Sequence, residues 1–489
     1  MPEAEIVPSV IPRSQRHRRL RSKRAIHGKT ALVLAGGGIT GGIYQLGALR
    51  ALDDLLLNRT VLDFDLYIGT SAGAFVSTFL AAGIPPRALV DVARNPTLRF
   101  QWQLLSHLFS PNLAEVRDRI IALPGHVPGL LADLVRHRGS FLLSDAWGFL
   151  SLALPSGLLD SGRVAEFMAE LLRLADLPST FEALERELYV VACQLDSWER
   201  TVFGRETRPA VGIPEAVAAS TAIPILFKPV NINGVDYVDG GVKGHAAVDV
   251  AIDHGANLVV VVNALAPLDA RAARNPNFLH RYGQSIADLG IRGVLNQVSR
   301  GMLRDALADH IRLLRTRHPE VDIVVIQPLP DDEKMFFHEV MSTSARLVVA
   351  QHGYESVLDG LVRGHSHFSE VLGRHGMEIA SEVLDAKPWS VPVGPFDPGE
   401  LRHRMDRTVF GGGRQAGDAR RAKRLAAAID RMESQPPGAA TRDGESPPRI
   451  LVTPAATAPA APRRRARTGG KPKSTPKRSK TRPRLRPPG

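Results

Sequence analysis

Gly69-Thr70-Ser71-Ala72-Gly73 sets a serine among small residues where an apolar strand pattern gives way to a helical one. A hydroxyl on so sharp a turn projects from the C-terminal end of the strand, and small neighbours let strand and helix approach closely. The helix that follows offers backbone N–H groups and its positive dipole end to a developing oxyanion. Ser71 is therefore a candidate nucleophile for attack on a carbonyl; the plainer reading is a serine helix cap.

Gly36-Gly37-Gly38-Ile39-Thr40-Gly41 matches G-x-G-x-x-G after a strand, so dinucleotide binding is weighed first. That use wants an acidic residue at the C-terminal end of the second strand. Asp63 and Asp65 stand at its start, and its far end delivers Ser71 instead. Consecutive glycines also let main-chain N–H groups turn toward one point without Cβ obstruction, and an oxyanion hole from Gly36, Gly37 and Gly38 is the better reading. Asp239-Gly240-Gly241 follows a short strand, so its carboxylate can reach a serine on a neighbouring strand end; by itself it is an ordinary Asp-Gly turn. The order Ser71, Asp239, then His245 or His254 also fits a Ser-Asp-His hydrolase. His254 precedes Gly255 at an expected helix end, and His245 lies only six residues past Asp239.

The elements around these residues alternate. Thr30–Ala35 is a buried strand ending in glycines, and Gly41–Leu57 carries leucines at helical spacing. Leu62–Ile68 reads as a second strand, and Phe75, Val76, Phe79 and Leu80 stripe the next helix before Gly83 and Pro85. Leu188–Leu195, Val235–Val238, Asn257–Asn263 and Val321–Gln327 read as further strands, mostly continuous apolar runs of the buried parallel kind. This order predicts an α/β three-layer sandwich. Residues 85–180 and 270–316 break the alternation with helical patterns, among them Phe141–Leu143, Phe149–Leu154 and a series from Ile291 to Leu314. Ordinary helix packing accounts for these, and the sharper reading is a cap that meets a lipid surface.

The ordered set of Gly-rich loop, G-x-S-x-G and D-G-G resembles the patatin-like phospholipase family. Tyr44-Gln45-Leu46-Gly47-Ala48-Leu49, Ala219-Ser220-Thr221-Ala222-Ile223-Pro224 and Phe227-Lys228-Pro229-Val230 are similar to that family as well. The resemblance covers residues 30–265 and continues more loosely to about 360, through Met341-Ser342 and Ser344-Ala345-Arg346-Leu347. It implies a patatin-type α/β/α sandwich with a mainly parallel central sheet, helical insertions and a Ser–Asp dyad. Ser71 would attack a lipid ester to give an acyl-enzyme, and Asp239 would accept its proton and later activate water. Amides of Gly36, Gly37 and Gly38, with Ala72, would hold the oxyanion, and Gly41, Gly69, Gly73, Gly240 and Gly241 are the motif glycines. Thr40 stands where many members carry Arg or Lys and supplies no charge. No organic cofactor and no metal are implied, since no His/Asp/Glu spacing of the metal-site kind occurs.

Composition bounds the rest. The 489 residues carry +12, with surpluses of +6 in residues 1–29 and +12 in 463–489, which leaves residues 30–462 at −6. Basic ends of this kind suit tethering to an anionic membrane, whereas a basic folded face for nucleic acid is not indicated. The single cysteine, Cys193, lies in an apolar run and excludes an internal disulfide and a cysteine metal cluster. No apolar segment follows the basic N-terminus, and no stretch of about 18 uncharged apolar residues occurs, so a cytoplasmic location with peripheral membrane contact is expected. The expected organisation is a disordered basic arm over 1–28 and a catalytic domain over 29–265. A mainly helical extension with one further strand follows over 266–400. Residues 401–489 would be a helical segment, then a disordered Pro/Ala/Arg/Lys-rich tail. The expected activity is hydrolysis of carboxylic esters of phospholipids or related lipids. The alternatives are a Ser-Asp-His esterase and a membrane-tethered interaction protein on an inactive hydrolase fold.

Overall fold

A computed structural model describes residues 28–94, 106–122, 154–206, 210–271, 285–330, 332, 335–336, 346–379, 423–429 and 431. The expectations for residues 1–27, for the tail beyond 431, for Phe141–Leu143 and for Met341-Ser342 lie outside the described residues.

The central sheet follows the order β10 (Asp322–Ile326), β9 (Ala256–Val262), β1 (Lys29–Leu34), β2 (Leu66–Thr70), β4 (Glu187–Gln194), β8 (Val235–Asp239) and β7 (Val230–Ile232), with β5 (Arg200–Phe203) also paired to β4. From β10 to β4 all neighbours are parallel; β5, β8 and β7 add an antiparallel edge. A mainly parallel α/β sheet is thus what forms. Ala31, Leu32, Val33 and Leu34 are all fully buried, which explains why β1 reads as an unbroken apolar run. Leu32 and Leu34 face one helical layer, with α1 (Gly38–Leu55), α2 (Ala72–Ala81), α4 (Gly162–Leu174), α5 (Ile213–Thr221) and α8 (Arg346–Arg374). Ala31 and Val33 face the other, with α6 (Val248–Asp253) and α7 (Gly290–Arg317). The remaining helix, α3 (Pro86–Arg94), packs on α1. Strands β3 (Gly157–Leu159) and β6 (Ile225–Phe227) pair separately.

Three differences from the sequence reading have local causes. The strand expected from Leu62 begins only at Leu66, because Val61–Asp63 is a 3-10 turn. Thr60 Oγ1 accepts from the Leu62 amide at 3.2 Å and the Asp63 carboxylate accepts from the Thr60 amide at 2.9 Å, so side chains satisfy backbone groups that a strand would have paired. Helix α1 begins at Gly38 rather than Gly41. Strands β3, β5, β6 and β7 are three or four residues long, too short to show a period in sequence. The described strand and helices beyond residue 265 are built into the same sheet and layers. β10 pairs with β9 along its whole length, and α8 crosses α1 where Gly47 and Gly353 lack the Cβ that would strike the opposing backbone. Among the described residues no helix is long and apolar enough to cross a membrane.

Candidate active site

The chain leaves β1 toward β2 on one side and later returns to β9 on the other, so the C-terminal end of β1 is a switch point of the sheet. Ligands of open α/β sheets bind at such points. The glycine loop sits there. The Ala35 amide donates to Val262 O at 3.1 Å, the Gly36 amide to His245 O at 3.4 Å, and Gln45 Nε2 to Ala35 O at 2.5 Å. Gly37 caps α1, with Gly41 N donating to Gly37 O at 2.9 Å. A Cβ on Gly37 would approach Gly41 Cα to 2.9 Å, closer than real Cβ contacts come. Among the described residues the amides of Gly37 and Gly38 meet no backbone acceptor. That leaves them as the loop's candidate donors, whereas the Gly36 amide is turned toward His245 O.

Ser71 is the N-cap of α2, with φ 57° and ψ −128°, a sparsely populated conformation for a residue with a Cβ. Gly69 and Gly73 make the turn possible: a Cβ on either would run into the backbone of Ala74 or of Leu34. The strained turn is held from outside. The Ser71 amide donates to Ser220 Oγ at 2.8 Å, and that hydroxyl donates onward to Val191 O at 2.6 Å.

Asp239 ends β8. Thr70 of β2 pairs with Val191 of β4, and Ala192, the next residue, pairs with Asp239, so the register brings Ser71 and Asp239 to one level across β4. The Ser71 hydroxyl neighbours the Asp239 carboxylate and favours its charged form, and the Gly241 amide donates to Asp239 Oδ1 at 2.7 Å. The Asp239 amide donates to Ala222 O at 2.9 Å, and Gly240 lies too close to Val191 O for any side chain. Ser71 is 3 % and Asp239 6 % exposed. Burial pushes the Asp239 carboxyl up to about 6, against the opposing pull of the neighbouring Ser71 hydroxyl and the Gly241 amide.

The other candidates have partners of their own, although the His245 ring and Ser71 flank the same face of Gly36. His245 is buried beside Gly36, and its Nε2 meets Asn263 Oδ1 at 2.9 Å rather than Asp239 or Ser71. Burial drives its pKa down to about 4, so the ring is neutral. His254 caps the C-terminus of α6, its Nδ1 2.8 Å from Val250 O and its ring against Tyr189, at the end of the sheet where β9 begins. Asp65 accepts from the Thr30 amide at 2.8 Å and from its hydroxyl at 3.0 Å, also at that opposite end, where no dinucleotide ribose could meet it. Cys193 is fully buried and its thiol is pushed up by desolvation, the behaviour of a core residue. Thr40 is buried in the first turn of α1. Among the described residues no group of His, Cys, Asp or Glu could hold a metal ion.

Sequence reasoning assigned no role to Ser220, Gln45 or Asn263. Ser220 and Gln45 lie within runs of small and apolar residues, and Asn263 is a polar residue ending an apolar strand. Their shared signal is a hydrogen-bonding side chain where the surrounding pattern is small or apolar.

The profile of the family described as "Patatin-like phospholipase" matches residues 32–252. Among curated proteins the chain is 25 % identical over 229 residues to a probable lipid hydrolase, 463L, of Invertebrate iridescent virus 6, covering 46 % of this chain and 63 % of that one. It is 24 % identical over 272 residues to the uncharacterized protein YjjU of Escherichia coli (strain K12), covering 55 % of this chain and 61 % of that one. The chain thus spans about three-fifths of the length of these relatives. Among solved structures, VipD from Legionella pneumophila matches at 16 % identity and a TM-score of 0.30, over 70 % of this chain and 68 % of that one.

Proposed function

We propose, from the premise that residues 32–252 are a patatin-like phospholipase domain, that the protein is a serine lipid acyl hydrolase acting on carboxylic esters of phospholipids or related lipids. One observation carries the reading: the strand register sets the Ser71 hydroxyl beside the buried Asp239 carboxylate, at the edge where the glycine loop offers its amides.

In this reading the Ser71 oxygen attacks the ester carbonyl as its proton passes to Asp239. Negative charge gathers on the carbonyl oxygen, within reach of the Gly37 and Gly38 amides and the first-turn amides of α2. The C–O bond to the alcohol breaks, the departing oxygen takes the proton from Asp239, and Ser71 is left acylated. Asp239 then takes a proton from water, the hydroxide adds to the acyl carbon, and Ser71 leaves with that proton while the fatty acid departs. An ordinary carboxylate near pKa 4 is a weak base for a hydroxyl. Raising Asp239 to about 6 narrows that gap, and preorganised donors supply the remainder. The Nε2 of His245 is taken by Asn263 rather than by Asp239, so the Ser-Asp-His order of contacts is not formed and the dyad is favoured over the triad. The similarity to a probable lipid hydrolase supports the substrate class.

The basic ends are read as tethers to an anionic membrane, an attraction that weakens with salt. Turnover of a panel of phospholipids, lysolipids and short-chain nitrophenyl esters tests the activity. No ester hydrolysis, together with no labelling by a fluorophosphonate, would favour the tethered interaction protein instead.

A further inference from the structure

Helix α7 changes character along its length. In its second half Leu307, Ile311 and Leu314 are buried against the sheet, and the opposite face carries Asp305, Asp309 and Arg312. In its first half the outward face is apolar too: Ile291, Val294, Leu295, Val298 and Met302 are 80, 41, 58, 50 and 69 % exposed. These five fall on one side at helical spacing, over about 16 Å of axis. The first acidic residue of the helix, Asp305, comes one turn after the stripe ends.

The location of this half is fixed by hydrogen bonds. Gln297 accepts from the Leu268 amide at 3.0 Å and donates to Leu268 O at 2.7 Å, and buried Arg300 donates to Met335 O at 2.9 Å and Ala266 O at 3.4 Å. The segment Ala264–Leu268 leaves the C-terminal end of β9, and Ala264 packs on Gly37 and Gly41 of the glycine loop. The stripe therefore flanks the edge that carries Ser71. On the far side of that edge Trp198 and Ile225 are 49 and 81 % exposed, one in the turn after β4 and the other three residues past Ala222.

We propose that this edge docks on a lipid bilayer, with the first three turns of α7 lying in the interface and the stripe from Ile291 to Met302 entering the acyl boundary. The proposal rests on the lipid-hydrolase reading, since a bilayer is where that substrate resides. A helix with an apolar outer face and a cation beside it, here Arg292, is the form that lies in such an interface. A second copy is the weaker occupant: five side chains on three turns fall short of the roughly 800 Å² per partner that a stable dimer buries. A copy seated there would also cover the approach to Ser71.

The test uses the full chain and vesicles of phosphatidylcholine alone in 1 M salt, where screening over about 3 Å silences the basic ends. Wild type is expected to co-sediment with the vesicles, and Leu295→Glu with Met302→Glu to lower the bound fraction about tenfold or more. Leu313→Glu, an exposed position on the second half of the same helix, should bind as wild type. Both variants should hydrolyse a soluble nitrophenyl ester at the wild-type rate, while the double variant loses release of fatty acid from vesicles to the same extent as binding. Unchanged binding by the double variant, equal loss in Leu313→Glu, or a wild-type dimer that the double variant converts to monomer would each overturn the proposal. Vesicle binding by a chain that cleaves no ester would defeat the enzymatic reading and leave the docking surface standing; ester cleavage without vesicle binding would do the reverse.

Discussion

The backbone amide of Ser71 is held by the hydroxyl of Ser220 at 2.8 Å, and through it by the carbonyl of Val191. Two residues later the same segment accepts the Asp239 amide on Ala222 O. The end of α5 thus fastens both members of the Ser71–Asp239 pair. Ser220→Ala leaves a buried donor and a buried acceptor unpaired, which should cost about 1–3 kcal/mol of stability. A relaxed Ser71 turn should lower kcat about tenfold or more with little change in KM. Thermal unfolding and steady-state kinetics check both halves; unchanged kcat in a destabilised protein would limit Ser220 to a structural part.

A fluorophosphonate probe should label Ser71 alone, and Ser71→Ala should abolish labelling while far-ultraviolet circular dichroism is retained. Persistent labelling at another serine, mapped by peptide mass, would refute the nucleophile.

Asp239→Asn keeps the shape and removes the base, so kcat should fall by about 10² or more. In wild type kcat/KM should rise with pH through about 6 as Asp239 ionises. The stability effect has the opposite sense. The folded pKa is raised above that of the unfolded chain, so the contribution is favourable at low pH and is lost as pH climbs from about 4 to about 6. At pH 7 that buried charge costs about 3 kcal/mol, and Asp239→Asn should recover part of it as a higher midpoint in urea.

His245 works in the reverse direction. Its folded pKa of about 4 lies below the unfolded value of 6.5, so stability is lost as pH falls through that interval. Asp239 and His245 therefore oppose each other between pH 4 and 6. Urea titrations should find acid destabilisation steeper in Asp239→Asn and shallower in His245→Asn than in wild type. Activity of His245→Asn should stay within about tenfold of wild type. Loss as deep as in Asp239→Asn would replace the dyad with a triad.

Gly37→Ala places a Cβ against Gly41 Cα at the cap of α1. Misaiming one oxyanion donor should cost about 2–4 kcal/mol in kcat/KM, with thermal stability changed far less. A loss confined to KM would remove the loop from transition-state stabilisation.

The sequence alone carried the parts of the site that depend on neighbours along the chain. Gly69, Ser71 and Gly73 announce a tight strand-to-helix turn because only small residues clear the backbone there. Gly37 and Gly38 announce free amides at a helix start, while the Gly36 amide is spent on His245 O, and the run from Ala31 to Leu34 announces a strand buried on both faces. Asp239 was marked by the glycines behind it. What the sequence could not supply was the pairing. Ser220 lies 149 residues from Ser71 and reaches its amide only because α5 packs on β4. His245 meets Asn263 instead of Asp239 because β9 sits beside β1, on the other side from β2. The antiparallel turn of β8 against β4, which sets Asp239 level with Ser71, rests on short edge strands without a readable period. Residue type and spacing decide which groups can do chemistry; strand order and register decide which of them meet, since a hydrogen bond is satisfied by whichever partner the folded sheet brings within about 3 Å.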